Sequence, residues 1–108
     1  MSGLRDTHVQ AATSIALAWT FFVGDDFDVP SLRIEFNTAP VTSENIVVSL
    51  DSGKGAAYDV PLRTFDPVGV TSYVVEDLKG FKNGDKVLVA YANTDLRAIT
   101  GTAVTEMV

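Results

Sequence analysis

Apolar and polar residues alternate along several short segments of this chain, and residues that favour turns close each segment. The clearest alternation places Leu32, Ile34 and Phe36 on one face, with Arg33 and Glu35 on the other. A period of two is typical of a strand that buries one face. Turn-forming residues recur between such segments at fairly even intervals, a pattern typical of sandwiches and barrels.

The same pattern extends over most of the chain. Pro61 lies inside one segment and predicts an edge strand or a bulge, because proline cannot donate to a ladder. Another segment, 86–92, is apolar on both faces and predicts a central strand. After 32–36, the predicted strands are 45–51, 58–65, 70–76, 86–92 and 96–107, with Gly101 as a point where the last could break. We therefore predict an all-β fold, an antiparallel β-sandwich of jelly-roll or immunoglobulin-like type with about eight strands.

The segment 8–23 permits two interpretations. Its alanines would suit a helix, whereas Ile15, Leu17, Trp19 and Phe21 fall on one face of a strand. The aromatic residues favour the strand, and the rest of the chain offers no helix to pack against a helix here. We predict a strand.

Composition is that of an ordinary globular protein. The 108 residues are 46% hydrophobic and 20% charged, which predicts one domain over 8–108 after a small, polar and flexible arm over 1–7. The absence of cysteine excludes a disulfide scaffold and thiolate metal sites. A net charge of −6 argues against nucleic-acid binding. No targeting segment is expected, and the longest apolar stretch, 15–23, is too short to span a bilayer.

Two loops carry residue types that could bind ions. Asp25, Asp26 and Asp28 could supply part of a Ca²⁺ shell, but their spacing matches no complete calcium loop, and a solvated turn is the simpler interpretation. The segment 52–55, SGKG, suggests a phosphate loop but lacks the required spacing and a following helix. We predict a flexible loop there, with Lys54 as a surface contact to a neighbouring subunit.

No residue set indicates catalysis. His8 is the single histidine and lies beside the predicted arm, where no rigid scaffold would hold it for a catalytic triad. One histidine without cysteine cannot build a zinc site. Fourteen acidic residues are present, but no spacing nominates a carboxylate pair. We predict no catalytic residue, no metal site, no cofactor and no enzymatic activity.

Aromatic residues suggest two surfaces. Trp19, Tyr58, Tyr73 and Tyr91 could form a platform that stacks on sugars, but positions in the core or at a subunit interface are the favoured interpretation for most of them.

The second surface belongs to the first predicted strand, which is apolar on both faces. A strand of this kind is either central or covered by a partner. Trp19, Phe21, Phe22 and Val23 are therefore a predicted subunit interface. A central sandwich strand remains the alternative.

Five stretches carry a resemblance to a known group of proteins. They are FNTAP at 36–40, ENIVVSLDS at 44–52, AYDVPL at 57–62, GDKV at 84–87 and AYANTD at 90–95. Together they resemble small structural proteins of tailed phages and prophages, which are usually uncharacterised or assigned to the virion as capsid decoration, cement or related head proteins. The resemblance spans residues 30–97. Its motifs are turns and strands, so no functional residue carries over.

The resemblance implies a β-sandwich that acts as an oligomer, often a trimer, on the capsid lattice. It predicts a capsid decoration or cement protein whose partner is the major capsid protein, located in the host cytoplasm before assembly and on the virion afterwards. Two alternatives remain open: a carbohydrate-binding or adhesion module on a phage or host surface, and another head or tail component, such as a head–tail completion or tail-tube protein. Neither a nucleic acid nor a membrane is a predicted partner.

Overall fold

Eight β-strands make up the fold in a computed structural model that describes residues 4–55, 57 and 59–108. They form two four-stranded sheets in which every pair is antiparallel, so the predicted antiparallel β-sandwich of about eight strands is confirmed. The strands are β1 Arg5–Thr13, β2 Leu17–Phe21, β3 Phe27–Phe36, β4 Ile46–Asp51, β5 Val60–Phe65, β6 Ser72–Phe81, β7 Lys86–Tyr91 and β8 Ala98–Met107. No helix of the described part could cross a membrane.

The chain passes between the two sheets at nearly every connection. One sheet has the order β1-β8-β3-β6 and the other the order β2-β7-β4-β5. The edge strands face each other across the sandwich. His8 of β1 stacks on Phe21 of β2 with ring centroids 5.2 Å apart, and Tyr73 of β6 stacks on Phe65 of β5 at 4.2 Å. We call these two flanks the β1–β2 side and the β5–β6 side.

Alternation along each strand builds one core between the sheets. In β2, Leu17, Trp19 and Phe21 are buried while Ala18 and Thr20 are exposed. Strands of both sheets contribute to a single apolar cluster. Its members are Ala12, Leu17, Trp19, Phe21, Phe27, Val29, Leu32, Ile34, Phe36, Ile46, Val48, Val75, Leu78, Phe81, Val87, Val89, Tyr91, Ile99 and Ala103.

Several strand predictions can be compared with these bounds. Strand β7 lies between β2 and β4, as its two apolar faces predicted. Strand β5, which contains Pro61, is an edge strand, and its pairing with β4 shifts register between Val48 and Ser49. Both effects expected of the proline are therefore present.

The single strand predicted over 8–23 is wrong, because the chain changes sheets inside it. Strand β1 ends at Thr13 and β2 begins at Leu17, with a turn at Ser14, whose φ is 57°. Alternation restarts after the crossing, so Ile15 falls in the connection and is 62% exposed. The prediction that Ile15 shares one face with Leu17, Trp19 and Phe21 is therefore wrong.

The arm predicted over 1–7 is also corrected at residues 5–7, which belong to β1. Arg5 pairs with Glu106 in the register with β8, and Arg5 Nε lies 2.6 Å from a carboxylate oxygen of Glu106. The carbonyl of Leu4 accepts a hydrogen bond from Met107 N–H at 2.8 Å. These polar residues are ordered by ladder pairing, which their composition did not reveal. Residues 1–3 lie outside the described residues.

Gly101 does not break β8, which runs from Ala98 to Met107. The glycine is needed for a side chain on the facing sheet. A Cβ atom at Gly101 would lie 2.7 Å from Cε3 of Trp19 and closer still to Cζ3. The Trp19 ring thus occupies the space that any other residue at 101 would require.

Candidate functional site

Four connections meet at one end of the sandwich because successive strands run in opposite directions. They are 14–16, 37–45, 66–71 and 92–97, and we call them together the loop end. Loops positioned by a rigid scaffold are where binding residues concentrate.

Asp95 joins two of these connections. One of its carboxylate oxygens accepts the N–H groups of Val41 and Thr42 at 2.9 and 2.8 Å, and the other accepts the Thr42 hydroxyl at 2.7 Å. The bonds from Thr42, followed by the one from Val41, hold the pKa of Asp95 below its usual 3.8, because they favour the charged carboxylate.

Two further carboxylates repeat this arrangement. Glu44 accepts both the N–H and the hydroxyl of Thr94, each at 2.7 Å. The 37–45 and 92–97 connections therefore each donate hydrogen bonds to a carboxylate of the other. Asp66 accepts the Ser43 hydroxyl, and this bond is the largest cause of the lowered pKa of Asp66. The connection at 66–71 is thereby fixed to the one at 37–45.

Asn93 lies buried beneath the loop end and hydrogen-bonds to two of its connections. It is 1% exposed and has a φ of 56°, a conformation that asparagine tolerates better than most residues. Its side-chain amide nitrogen donates to the carbonyls of Ile15 and Arg97 at 2.7 and 2.9 Å, and its side-chain oxygen accepts Arg97 N–H at 2.8 Å. One buried side chain therefore fixes both the 14–16 and 92–97 connections.

The loop end presents apolar side chains to solvent. Leu96 is 61% exposed although its φ is 57°, a backbone conformation that is costly for a leucine. The loops that carry these side chains touch: Ser14 Oγ donates to the Leu96 carbonyl at 3.5 Å, and Gly69 N–H donates to the Pro40 carbonyl at 3.1 Å. The exposed apolar residues are Ile15, Val41, Val68, Val70 and Leu96. We call this set the apolar tips.

Three acidic side chains and one tyrosine lie at the loop end. The carboxylates of Glu44, Asp66 and Asp95 are engaged by N–H and hydroxyl donors of the protein itself. Tyr91 lies beneath them, and burial raises its pKa to about 12, with the negative charges of Glu44 and Asp95 adding to the effect. Its hydroxyl therefore keeps its proton at neutral pH. Within the described ranges, no group of three or more His, Cys, Asp or Glu residues could hold a metal ion.

The acidic cluster considered for calcium lies at the opposite end and serves the backbone. Asp26 accepts the N–H of Asn83 at 2.9 Å, and Asp28 accepts that of Gly80 at 3.0 Å. Asp25 accepts the N–H of its neighbour Asp26. Asp28 therefore fixes the end of β6, and Asp26 fixes the β6–β7 turn.

The other charged candidates also lie away from the loop end. Lys54 is exposed in the β4–β5 connection at the opposite end, where a surface contact stays a prediction. His8 is half-buried in β1, and its Nε2 lies 3.0 Å from the hydroxyl of Thr105. The histidine is thus ordered by β8 and by its stacking on Phe21.

The sugar-stacking platform is not assembled by the aromatic residues that the structure describes. Trp19 and Tyr91 are 4% and 2% exposed within the core. Tyr73 is half-buried against Phe65 on the β5–β6 side. Tyr58 lies outside the described residues.

The residues predicted as a subunit interface are divided between core and surface. Trp19 and Phe21 point inward from β2 and pack in the core of their own chain, so they cannot also cover a neighbour. Val23 is partly buried against the core. Phe22, just past the end of β2, is 57% exposed, and Lys86 Nζ lies 5.7 Å from its ring centroid. The second apolar face predicted for this segment is therefore not formed, because the outward residues of β2 are Ala18 and Thr20 and the strand ends at Phe21.

Sequence reasoning did not find the apolar tips. A local signal for two of them existed: Val41 and Leu96 are isolated apolar residues inside stretches otherwise made of turn-forming and polar residues. Such residues gain nothing from the core, which is a reason to test them for binding. The hydrogen bonds that hold them join residues more than 50 positions apart.

Comparisons with known proteins assign no family. No protein family and no curated protein matches the chain. Among solved structures, the chain is similar to the Drosophila NLP core, which was described with respect to pentamer formation and histone binding, at 13% sequence identity and a TM-score of 0.49. The similarity covers 97% of this chain and 98% of that one. A likeness of this size carries no argument about partners or function.

The carboxylates of the loop end predict an acid-sensitive fold. Folding lowers the pKa values of Asp95 and Asp66, so these two carboxylates stabilise the folded state. Their contribution to stability is complete above the unfolded-state pKa of 3.8 and is lost as the pH falls through their folded-state pKa values. We expect the urea midpoint of unfolding to fall between pH ~5 and pH ~2, and to fall less for Asp95→Asn. Glu76→Gln on the outer face of β6 is the control. A pH dependence of Asp95→Asn as steep as that of the unmodified chain would contradict this role.

Proposed function

We propose that the protein is a non-enzymatic structural component of a tailed-phage particle, a capsid decoration or cement protein that docks on the capsid through its loop end. It reinforces contacts between major capsid subunits. The observation that carries the proposal is the set of five exposed apolar tips on connections held by side-chain hydrogen bonds. The phage context comes from the resemblance at 36–95.

Rigidity is the physical reason for choosing the loop end. A surface that is already ordered loses little conformational entropy on binding, so more of the contact energy is left for affinity. Leu96 keeps a strained backbone without gaining burial in its own chain. Strain of this kind is retained where the surroundings hold it in place, often at binding sites. A partner that covers Leu96 would give the side chain the burial it lacks.

The mechanism of reinforcement is the summation of weak contacts. One loop end offers only a few apolar side chains, which is modest for a lasting complex. Several copies joined on a symmetric lattice bind with much greater avidity than one. A net charge of −6 keeps the free protein soluble and away from the phosphates of packaged DNA.

Binding to the parent particle tests the proposal. Purified chain is mixed with particles that lack it, and the bound fraction is measured by co-sedimentation. Leu96→Asn is the most informative variant, because asparagine accepts a positive φ and the fold should gain up to ~1 kcal/mol while docking weakens. We expect Leu96→Asn and Val41→Glu each to weaken binding about tenfold, the effect of losing ~1.4 kcal/mol of contact energy.

Phe22→Glu is the matched control, since Phe22 is an exposed apolar residue at the opposite end. It should bind particles like the unmodified chain. Loss of binding with Phe22→Glu and retention with both loop-end variants would place the contact elsewhere and overturn docking through the loop end. Chain found with six- or twelve-fold order in the particle would instead favour a head–tail completion or tail-tube role. No contact of the described aromatic residues favours the carbohydrate-binding alternative.

A further inference from the structure

The four edge strands of the sandwich are unequally protected against pairing with another chain. Natural edge strands are blocked by charges, prolines and bulges. On the β5–β6 side, β5 contains Pro61 and β6 presents Glu76, Asp77 and Lys79, with Asp77 at a φ of 57°. Both edges on this side are therefore unsuited to adding a strand.

The β1–β2 side carries fewer of these devices, since its charges, Arg5 and Asp6, are confined to the start of β1. Strand β2 contains neither a charge nor a proline, and the second half of β1, from Val9 to Thr13, is uncharged. Val9 lies on the outer face and is 63% exposed. Beyond the Arg5–Glu106 pair at one end, the outer face of β1 continues into that of β8 as one uncharged surface. Its members are Thr7, Val9, Ala11, Thr13, Ala98, Thr100, Thr102 and Val104.

We propose that a second copy of this chain pairs with β1, antiparallel and across a two-fold axis at Val9, to join the two four-stranded sheets into one of eight strands. The sequence of β1 is complementary to itself in this register. Arg5 faces Thr13, Asp6 faces Ala12 and the two Val9 side chains meet at the axis. No like charges are opposed, and all nine residues of β1 find a partner.

Other registers and other symmetries fit less well. Moving the axis by one residue, to His8 or Gln10, keeps the faces aligned but leaves strand residues unpaired at the ends. A ring in which β1 pairs with an edge on the β5–β6 side is opposed by Pro61 and by the charges of β6. A ring in which β1 pairs with β2 of the next copy would pair only the five residues of β2 with the nine of β1. Pairing of β1 with itself closes at two copies. The trimer implied by the phage resemblance would need a different contact.

A cysteine placed on the proposed axis gives a direct test, because the chain has no cysteine of its own. Facing Cα atoms in an antiparallel pair lie about 4.5–5.5 Å apart, which is within the range of a disulfide. Val9→Cys should therefore form a covalent dimer on mild oxidation. Val74→Cys is the matched control, since Val74 is an exposed valine on the outer face of β6 at the other edge of the same sheet. It should stay uncrosslinked.

Light scattering after size-exclusion chromatography provides the second readout. The unmodified protein should have twice the molar mass of one 11.6 kDa chain. Val9→Lys should reduce the measured mass to that of a single chain, because two ammonium groups would repel each other at the axis. Val74→Lys should leave it unchanged. A single-chain mass for the unmodified protein, or any oligomer that neither crosslinks through Val9→Cys nor responds to Val9→Lys, would overturn the pairing. Because no particle is involved, this result is independent of capsid docking.

Discussion

Truncation of Trp19 to alanine is expected to lower the free energy of unfolding by about 3–5 kcal/mol, the range for deleting a large buried aromatic side chain. Trp19 is 4% exposed and packs against Phe21 at 5.0 Å between ring centroids and against the backbone at Gly101. Domains of this size are stable by about 5–15 kcal/mol, so such a loss would leave little reserve. Urea denaturation followed by far-UV circular dichroism measures it, since the variant has lost the single tryptophan.

The contact between Trp19 and Gly101 can be isolated by a double-mutant cycle. Gly101→Ala alone should cost about 1–3 kcal/mol, because its Cβ would overlap the Trp19 ring. In a Trp19→Leu background the same change should cost much less, since the ring carbons are gone. Thr100→Ala on the outer face of β8 is the control and should stay within ~0.5 kcal/mol. An equal cost of Gly101→Ala in both backgrounds would show that the ring is not what requires glycine.

Asn93→Ala is expected to cost about 3 kcal/mol or more. The change removes three hydrogen bonds of a side chain that is 1% exposed and leaves the carbonyls of Ile15 and Arg97 without this donor. Each buried polar group left unpaired costs about 1–3 kcal/mol. Alanine must also adopt the φ of 56°. Thermal and urea unfolding of the purified variant give the measurement.

Glycine at position 93 separates the two causes. Asn93→Gly loses the same hydrogen bonds but accepts the positive φ, so it should be about 1 kcal/mol more stable than Asn93→Ala. A cost of Asn93→Ala below ~0.5 kcal/mol would mean that Asn93 does not fix the loop end. The proposed docking would then lose its rigid support.

The strands that sequence predicted best are those whose alternation reflects burial of one face. Residues 32–36 lie in β3 with Leu32, Ile34 and Phe36 buried, and the predicted 45–51 differs from β4 by one residue. In such segments the period-two pattern and the burial have the same cause. No distant partner has to be known.

Pairing between distant strands could not be predicted in the same way. Arg5 and its partner Glu106 in β8 are 101 positions apart, and nothing local distinguishes a polar strand residue from a polar arm. Likewise, the crossing between sheets at Ser14 is formed without glycine or proline. The extended apolar pattern of 8–23 therefore concealed two strands on different sheets.

The candidate site depended still more on distant contacts. The bonds of Asp95 to Thr42 and of Glu44 to Thr94 span about half of the chain, and each residue alone is an ordinary polar residue of a surface connection. Trp19 and Phe21, by contrast, attracted an interface interpretation because they are aromatic, yet they fill the core. The aromatic side chains of Trp19 and Phe21 predicted burial, but not whether the core of the same chain or a partner would bury them.

The most direct test of the proposed role is an electron cryo-microscopy reconstruction of the parent particle. Capsid docking predicts density for the sandwich at icosahedral positions on the outer surface, with the connections at 37–45 and 92–97 turned toward the major capsid protein and Leu96 covered. Capsid density that lacks the chain, or a sandwich bound with Leu96 facing solvent, would contradict it.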